Sequence, residues 1–213
     1  MITHALLVLQ EELKAHLTVY DQMPYSGPSR VDIGNMAEGI GPGSGDGAID
    51  RGKLVFTIVN IREEKTLKNL PNYVRNEVTL RASYENPPVF LNLLLLLSAT
   101  HASYSNATLY LSRAIRFFQY KNVFTPENVA PALLQLQTPL TELDQLESFK
   151  LILDLYSPSL EEVNHLWGTL GGKQYPFVLY MVRMLDLKYK VSEKETGLIT
   201  EVVSDFYHKN AIN

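Results

Sequence analysis

The apolar run VFLNLLLLLSA directly follows the proline pair Pro87 and Pro88, and it limits the folds that are open to the chain. Its leucine content would fit a helix, but the two prolines and the bulky Val89 and Phe90 favour an extended conformation. The run is too short to cross a bilayer and contains Asn92. It therefore predicts a central strand of a sheet, with both faces covered by other elements.

Three segments have helical patterns: 2–20, 104–120 and the residues after Ser159. In the first, apolar residues recur at steps of three and four, which is typical of an amphipathic helix. Ser159 and Glu162 have the spacing of a capping box, which predicts that the third helix begins there and continues through Trp167 as part of the core. Gly171 and Gly172 are expected to end this helix.

Strand patterns, rich in β-branched and aromatic residues, occupy much of the remaining chain. The predicted strands cover residues 30–33, 53–60, 78–82, 149–156, 175–187 and 198–206. The charged stretch 61–76 contains Pro71 and is predicted to be irregular. No regular βαβ alternation and no internal repeat is present. We therefore predict an α+β fold, with a mixed, mostly antiparallel sheet and flanking helices.

The chain is predicted to divide near its C-terminus. Residues 1–190 are expected to form one domain, and 191–213 a C-terminal arm in which the polar linker VSEKET precedes a candidate edge strand. The glycine-rich segment 39–47 is predicted to be a flexible surface loop, because glycines at alternate positions bury too little surface to be ordered on their own.

The charge balance and the lack of cysteine exclude several classes of protein. The 213 residues include 19 Lys and Arg against 23 Asp and Glu, a net charge of −4, whereas duplex binding depends on basic residues that neutralise phosphates. We therefore expect no nucleic-acid partner. Without cysteine, disulfides and thiolate metal sites are impossible. The N-terminus lacks the basic start of a signal peptide, and we expect no insertion into a membrane.

Gly47, Gly52 and Lys53 match the first part of a phosphate-binding loop, G-x-x-x-x-G-K. The next residue is Leu54, so the hydroxyl that would bind magnesium is missing. A strand pattern follows in place of the helix whose N-terminus would hold the phosphate. A surface loop is therefore the favoured interpretation, and a nucleotide-binding enzyme that uses Gly47–Lys53 is the less favoured alternative.

Glu162 and His165 form a Glu-x-x-His pair, which is half of a di-iron motif. Nothing comparable occurs elsewhere in the sequence, so we interpret Glu162 as a capping residue and His165 as a residue of the polar face. The chain has no G-x-S-x-G nucleophile elbow, and its other histidines lack metal-ligand spacing. We predict no catalytic residue, no metal and no cofactor, and hence no enzyme.

Four stretches, taken in order, resemble one protein family: 60–73 (NIREEKTLKNLPNY), 87–104 (PPVFLNLLLLLSATHASY), 111–125 (LSRAIRFFQYKNVFT) and 166–185 (LWGTLGGKQYPFVLYMVRML). They resemble the domain that begins the cap, or tail-terminator, proteins of contractile injection systems of the antifeeding-prophage and Photorhabdus-virulence-cassette type. In that family the corresponding segments recur in the same order. The likeness covers most of the chain.

The resemblance implies a structural protein that forms a hexameric ring and closes the baseplate-distal end of the sheath and inner tube. It implies a fold related to phage tail terminators, with further copies of the chain and the sheath and tube proteins as partners. Assembly would take place in the bacterial cytoplasm, as part of a phage tail-like particle. A tube–sheath adaptor or a tail-completion protein is the alternative. Several family members have a further C-terminal region.

Two segments are candidate contact surfaces on this interpretation. The charged stretch could form ion pairs between ring neighbours or be a solvated loop, and its candidate residues are Arg62, Glu63, Glu64, Lys65, Lys68 and Asn69. The segment GLITEVVSDF alternates apolar and polar residues, as expected of an edge strand that pairs with a partner. Its candidate residues are Leu198, Thr200 and Val202. The loop 39–47 would either become ordered on contact with tube or sheath or face solvent without a role.

Overall fold

The computed structural model describes residues 1–20, 30–41, 49–67, 73–76, 81–84, 86–134, 141, 144–146, 148–187, 194–197 and 202–204. The chain forms two compact units. The larger contains Met1–Lys65 and Val89–Leu187, and the smaller contains Thr66–Pro88 and Lys188–Asn213.

The described residues form three helices and nine strands. The helices are α1 (Ile2–Tyr20), α2 (Tyr104–Tyr120) and α3 (Leu160–Thr169). The strands are β1 (Val31–Ile33), β2 (Leu54–Glu63), β3 (Tyr73–Asn76), β4 (Arg81–Tyr84), β5 (Val89–Ala99), β6 (Val123–Phe124), β7 (Leu151–Tyr156), β8 (Phe177–Leu187) and β9 (Lys194–Gly197). Among these helices, none combines the length and apolar character needed to span a membrane.

A six-stranded sheet in the order β1-β2-β5-β8-β7-β6 organises the larger unit. β1 runs parallel to β2, and every other neighbouring pair in the sheet is antiparallel. β2 and β5 pair along almost their entire lengths, as do β5 and β8. The prediction of an α+β fold with a mixed, mostly antiparallel sheet is therefore confirmed.

Burial on both faces of the sheet explains why the sequence of the central strand β5 is apolar without alternation. Leu93, Leu95 and Leu97 belong to a core that the sheet shares with α1 and α2. Leu96 lies on the opposite face, in a second core with Trp167 of α3. Because successive side chains of a strand point to opposite faces, a strand covered on both faces needs apolar residues at every position. The predicted central strand is confirmed.

The helix ends also agree with the sequence. α2 occupies the predicted residues, and α3 begins with the predicted capping box. The Ser159 hydroxyl accepts a hydrogen bond from the Glu162 N–H, and the Glu162 carboxylate accepts one from the Ser159 N–H at 2.8 Å. After α3, the N–H of Gly172, at φ +77°, donates to the Trp167 C=O at 2.8 Å. Trp167 itself is buried, as predicted.

The smaller unit contains a three-stranded antiparallel sheet in the order β3-β4-β9. Two predictions are wrong here. The stretch 61–76 is not irregular throughout, because β2 continues to Glu63 and β3 begins at Tyr73. The polar segment VSEKET is not simply a linker, because it contributes to β9, where main-chain hydrogen bonds to β4 compensate for a polar composition.

Part of the sequence interpretation lies outside the described residues. This applies to 42–47 of the glycine-rich loop, to 78–80 of the predicted strand 78–82, and to most of the predicted strand 198–206. Within that last segment, 202–204 are described and have no regular secondary structure. The domain boundary near residue 190 remains a prediction.

Candidate functional site

The charged stretch singled out from the sequence begins on a strand. Arg62 and Glu63 are exposed at the end of β2, and Glu64 follows directly. The Glu64 N–H donates to the Phe90 C=O at 2.8 Å, and its carboxylate accepts a hydrogen bond from the Asn92 side chain at 2.8 Å. These residues are thus held by the sheet rather than by a loop. Lys65 is exposed in the 3-10 turn that follows, and Lys68 and Asn69 lie outside the described residues.

Arg62 contributes to the electrostatics of the start of α3. The Tyr156 hydroxyl donates to the Glu162 carboxylate at 3.0 Å, and this hydrogen bond raises the pKa of Tyr156. The pKa of Glu162 is lowered, first by the Ser159 N–H, then by the Tyr156 hydroxyl, with a smaller contribution from the Arg62 guanidinium. Glu162 is therefore a capping residue, as predicted. His165 is exposed, and its Nε2 lies 3.8 Å from the Glu161 carboxylate.

The outer side of β2 is paired over only part of its length. β1 pairs with Leu54–Phe56, and in the described part of the chain no strand pairs with β2 beyond that point on this side. A β-bulge lies between Ile58 and Asn60. Because the Glu64 N–H points to β5, alternation turns the main-chain groups of Ile61 to the outer side. The Ile61 side chain is 48% exposed. Residues 58–62 are called the β2 edge below.

The outer side of β7, at the other end of the sheet, is also paired over only part of its length. β6 pairs only with Leu151 and Ile152, and the Leu153 N–H donates to the Asn122 C=O at 2.8 Å. Among the residues the structure covers, no strand continues this pairing. Alternation turns the main-chain groups of Leu155 outward, and its side chain is 58% exposed. Residues 153–156 are called the β7 edge below.

Ile61 and Leu155 were missed as candidate contact residues. Leu155 continues the alternation of Leu151 and Leu153, which are both buried in the core, so the sequence predicts a third buried leucine. Its exposure follows from the shortness of β6, which leaves this end of β7 uncovered. Ile61 lies in a stretch dominated by charge. The alternating apolar pattern of β7 was the available signal, but it does not distinguish a core position from an edge position.

Lys53, from the partial phosphate-binding motif, is engaged inside the protein. Its Nζ lies 2.9 Å from an Asp32 carboxylate oxygen and 3.0 Å from one of Asp50. Burial alone would lower the pKa of Lys53, but hydrogen bonds to Asp32 and Asp50 outweigh it, and the pKa is raised. Its N–H donates to the Thr100 hydroxyl. The amine is therefore committed to two aspartates, and β2 follows in place of a helix.

The remaining candidates define no chemical site. Leu198 and Thr200 lie outside the described residues, and Val202 is 79% exposed. Across the described ranges, no three His, Asp or Glu side chains are grouped as a metal site requires. Pairing of the C-terminal segment with a partner remains a prediction.

Comparison with known proteins identifies the family. The Pvc16 N-terminal domain profile matches residues 5–201, which is most of the chain. No curated protein sequence is significantly similar. The match extends over both parts of the larger unit and into the smaller one, so it does not rest on a single motif.

Comparison with solved structures gives two cryo-EM matches, of which the first is similar in fold. The PVC sheath/tube terminator of an extracellular contractile injection system, in the extended state, superposes with a TM-score of 0.58 at 13% identity, over 97% of this chain and 65% of that one. The anti-feeding prophage cap, a tube-terminating cap, has a TM-score of 0.47 at 13% identity, over 72% and 49% respectively. The chain thus spans less than two thirds of either protein. It belongs to the Pvc16 N-terminal domain family, and it has the fold of a sheath/tube terminator.

Proposed function

We propose that the chain is a structural terminator of a contractile injection system: it binds the end of the sheath and inner tube and stops their growth. The observation that carries this proposal is the family match over residues 5–201, together with a fold shared along 97% of the chain with a sheath/tube terminator. The particle would be of the extracellular kind to which that terminator belongs. No catalytic step is part of the proposal.

The mechanism we propose is a ring of six copies. A terminator must bind the last layer of a helical polymer with one face and present no template for a further layer on the other. A closed ring suits this role, because a heterologous contact that repeats and closes leaves no lateral surface free and presents two different axial faces, one of which can bind the last layer. The ring would bind sheath and tube protein through its exposed charged and apolar surfaces. Assembly would take place in the bacterial cytoplasm, before any release of the particle.

Deleting the gene tests this function. We expect sheath–tube particles from the deletion strain to vary widely in length or to lose sheath from one end, because nothing stops growth or secures the last layer. The measurement is the length distribution of negatively stained particles, with a strain complemented by the wild-type chain as the control. Particles of wild-type length with sheath intact at both ends would contradict the proposal.

A further inference from the structure

The geometry points to a specific contact between neighbouring copies: we infer that the β7 edge of one copy pairs, antiparallel, with the β2 edge of the next. The partner is a second copy of this chain. The inference rests on the proposed function only in requiring that copies assemble around a common axis. It names the two surfaces that join them, which are edges of one six-stranded sheet that no strand covers among the residues described.

The two edges lie at the same level of the sheet. Leu153 is the register partner of Val182, Val182 of Leu93, and Leu93 of Ile61. One row of residues therefore runs from the β7 edge through β8 and β5 to the β2 edge. A neighbouring copy placed beside this sheet can meet it edge to edge. Leu155 lies on the row of Ile58, so a shift of about two residues along the strands brings Leu155, rather than Leu153, opposite Ile61 of the next copy.

The strand directions also suit each other. Each neighbouring pair from β2 through β5 and β8 to β7 is antiparallel, so β7 runs opposite to β2. When identical copies are placed side by side in the same orientation, β7 of one copy therefore meets β2 of the next as an antiparallel partner. The contact joins two different surfaces, so it can repeat from copy to copy and close into a ring.

The main-chain groups and side chains match at one pair of residues. Leu155 and Ile61 both turn their N–H and C=O groups outward, as the two members of a hydrogen-bonded pair must. Their register partners, Tyr180 and Leu93, both belong to the core on the side of α1 and α2. The two exposed apolar side chains would therefore lie on the same face of the joined sheet and cover each other.

The short strands at the two ends of the sheet are protected against such pairing. On β1, the buried Gln10 amide donates to the Val31 C=O at 2.9 Å, and the Asp32 carboxylate accepts from the Ile33 N–H at 2.9 Å. On β6, the Asn128 amide donates to the Val123 C=O at 2.9 Å. Side chains that occupy outward main-chain groups block strand addition. Within the described part of the six-stranded sheet, this protection leaves the β2 and β7 edges as the places where a strand can be added.

Disulfide trapping tests the contact, because the natural chain has no cysteine. A hydrogen-bonded antiparallel pair places Cα atoms about 5.5 Å apart, which a disulfide can bridge. The variant is L155C combined with I61C, produced in cells that assemble the whole particle and then oxidised. We expect non-reducing gels of purified particles to show a ladder of covalent multimers. L155C alone, I61C alone and an exposed control pair, S112C with L160C, should each remain monomeric.

The outcomes separate this inference from the proposed function. Normal-length particles that contain the double variant only as monomer would overturn the edge contact while leaving the terminator role intact. Multimers from L155C alone would overturn it too, because they indicate two β7 edges in contact. If the cysteine variants are absent from particles, a charge exchange tests the edge contact instead. L155E and I61K should each abolish incorporation into particles, and the double variant L155E with I61K should restore it. Failure of that restoration would also overturn the contact.

Discussion

Glu12 on α1 and Lys121, the residue after α2, form an ion pair in which Nζ and Oε2 are 2.8 Å apart and both side chains are largely buried. The other Glu12 oxygen accepts the Ala130 N–H at 2.9 Å, and the Lys121 Nζ also donates to the Asn128 C=O at 2.6 Å. One carboxylate thus joins α1 to the end of α2 and to the segment after β6. Asn128 is the same residue that protects the β6 edge.

Substituting Glu12→Gln should lower the free energy of unfolding by about 2–3 kcal/mol, because it leaves a mostly buried ammonium without its counter-ion. Glu11→Gln is the matched control, since Glu11 pairs with Lys14 at the surface of the same helix. That change should cost about 0–0.5 kcal/mol. Urea denaturation of both variants measures the difference, and equal midpoints for the two would show that the buried pair is not stabilising.

His4 is fully buried and links α1 to two distant segments. The Leu146 N–H donates to Nδ1 at 2.8 Å, so Nε2 carries the proton and donates to the Leu133 C=O at 2.7 Å. His4→Leu leaves both main-chain groups unpaired and should cost about 2–4 kcal/mol of stability. The exposed His165→Leu serves as the control and should leave the thermal midpoint nearly unchanged. A His4 variant as stable as that control would refute the bridging role.

The Lys53 cluster predicts a pH dependence of stability at alkaline pH. Its folded pKa is raised above the ordinary value of 10.5, so its contribution is complete below that value and is lost as pH rises through the folded pKa. The difference in unfolding free energy between the wild type and Lys53→Met should therefore be constant from pH 7 to about pH 10 and shrink above it. A difference that grows with pH would contradict this sign.

The charged end of β2 predicts a larger effect on assembly than on folding. Arg62 and Glu63 are exposed there, so the exchange R62E with E63R should weaken contacts between copies. Because Arg62 also lowers the pKa of Glu162 at the start of α3, a small loss of monomer stability is expected as well. Each exposed pair contributes only about 0–1 kcal/mol, so a visible effect requires repetition around a ring. Incorporation into particles is the measurement, with E161R on α3 as the control. Incorporation equal to that of the wild type would show that Arg62 and Glu63 do not contribute to contacts between copies.

The sequence predicts those helices and strands that depend on a local pattern or on burial of a strand on both faces. β5 could be recognised because Leu93, Leu95 and Leu97 face one core and Leu96 faces the other. α3 could be recognised because Ser159 and Glu162 are neighbours along the chain. β9 could not, since hydrogen bonds to β4, distant in sequence, create a strand from polar residues. The exposure of Leu155 could not be foreseen either, because it depends on where β6 ends and not on β7 itself.

The position of the protein in the particle tests the central claim most directly. Particles would be purified from cells in which the chain carries a C-terminal epitope tag, labelled with gold-conjugated antibody and imaged by electron microscopy. The proposed terminator role predicts label at one end only, the end opposite the baseplate, on intact particles of normal length. Label spread along the sheath, label at the baseplate, or intact particles without the protein would contradict it.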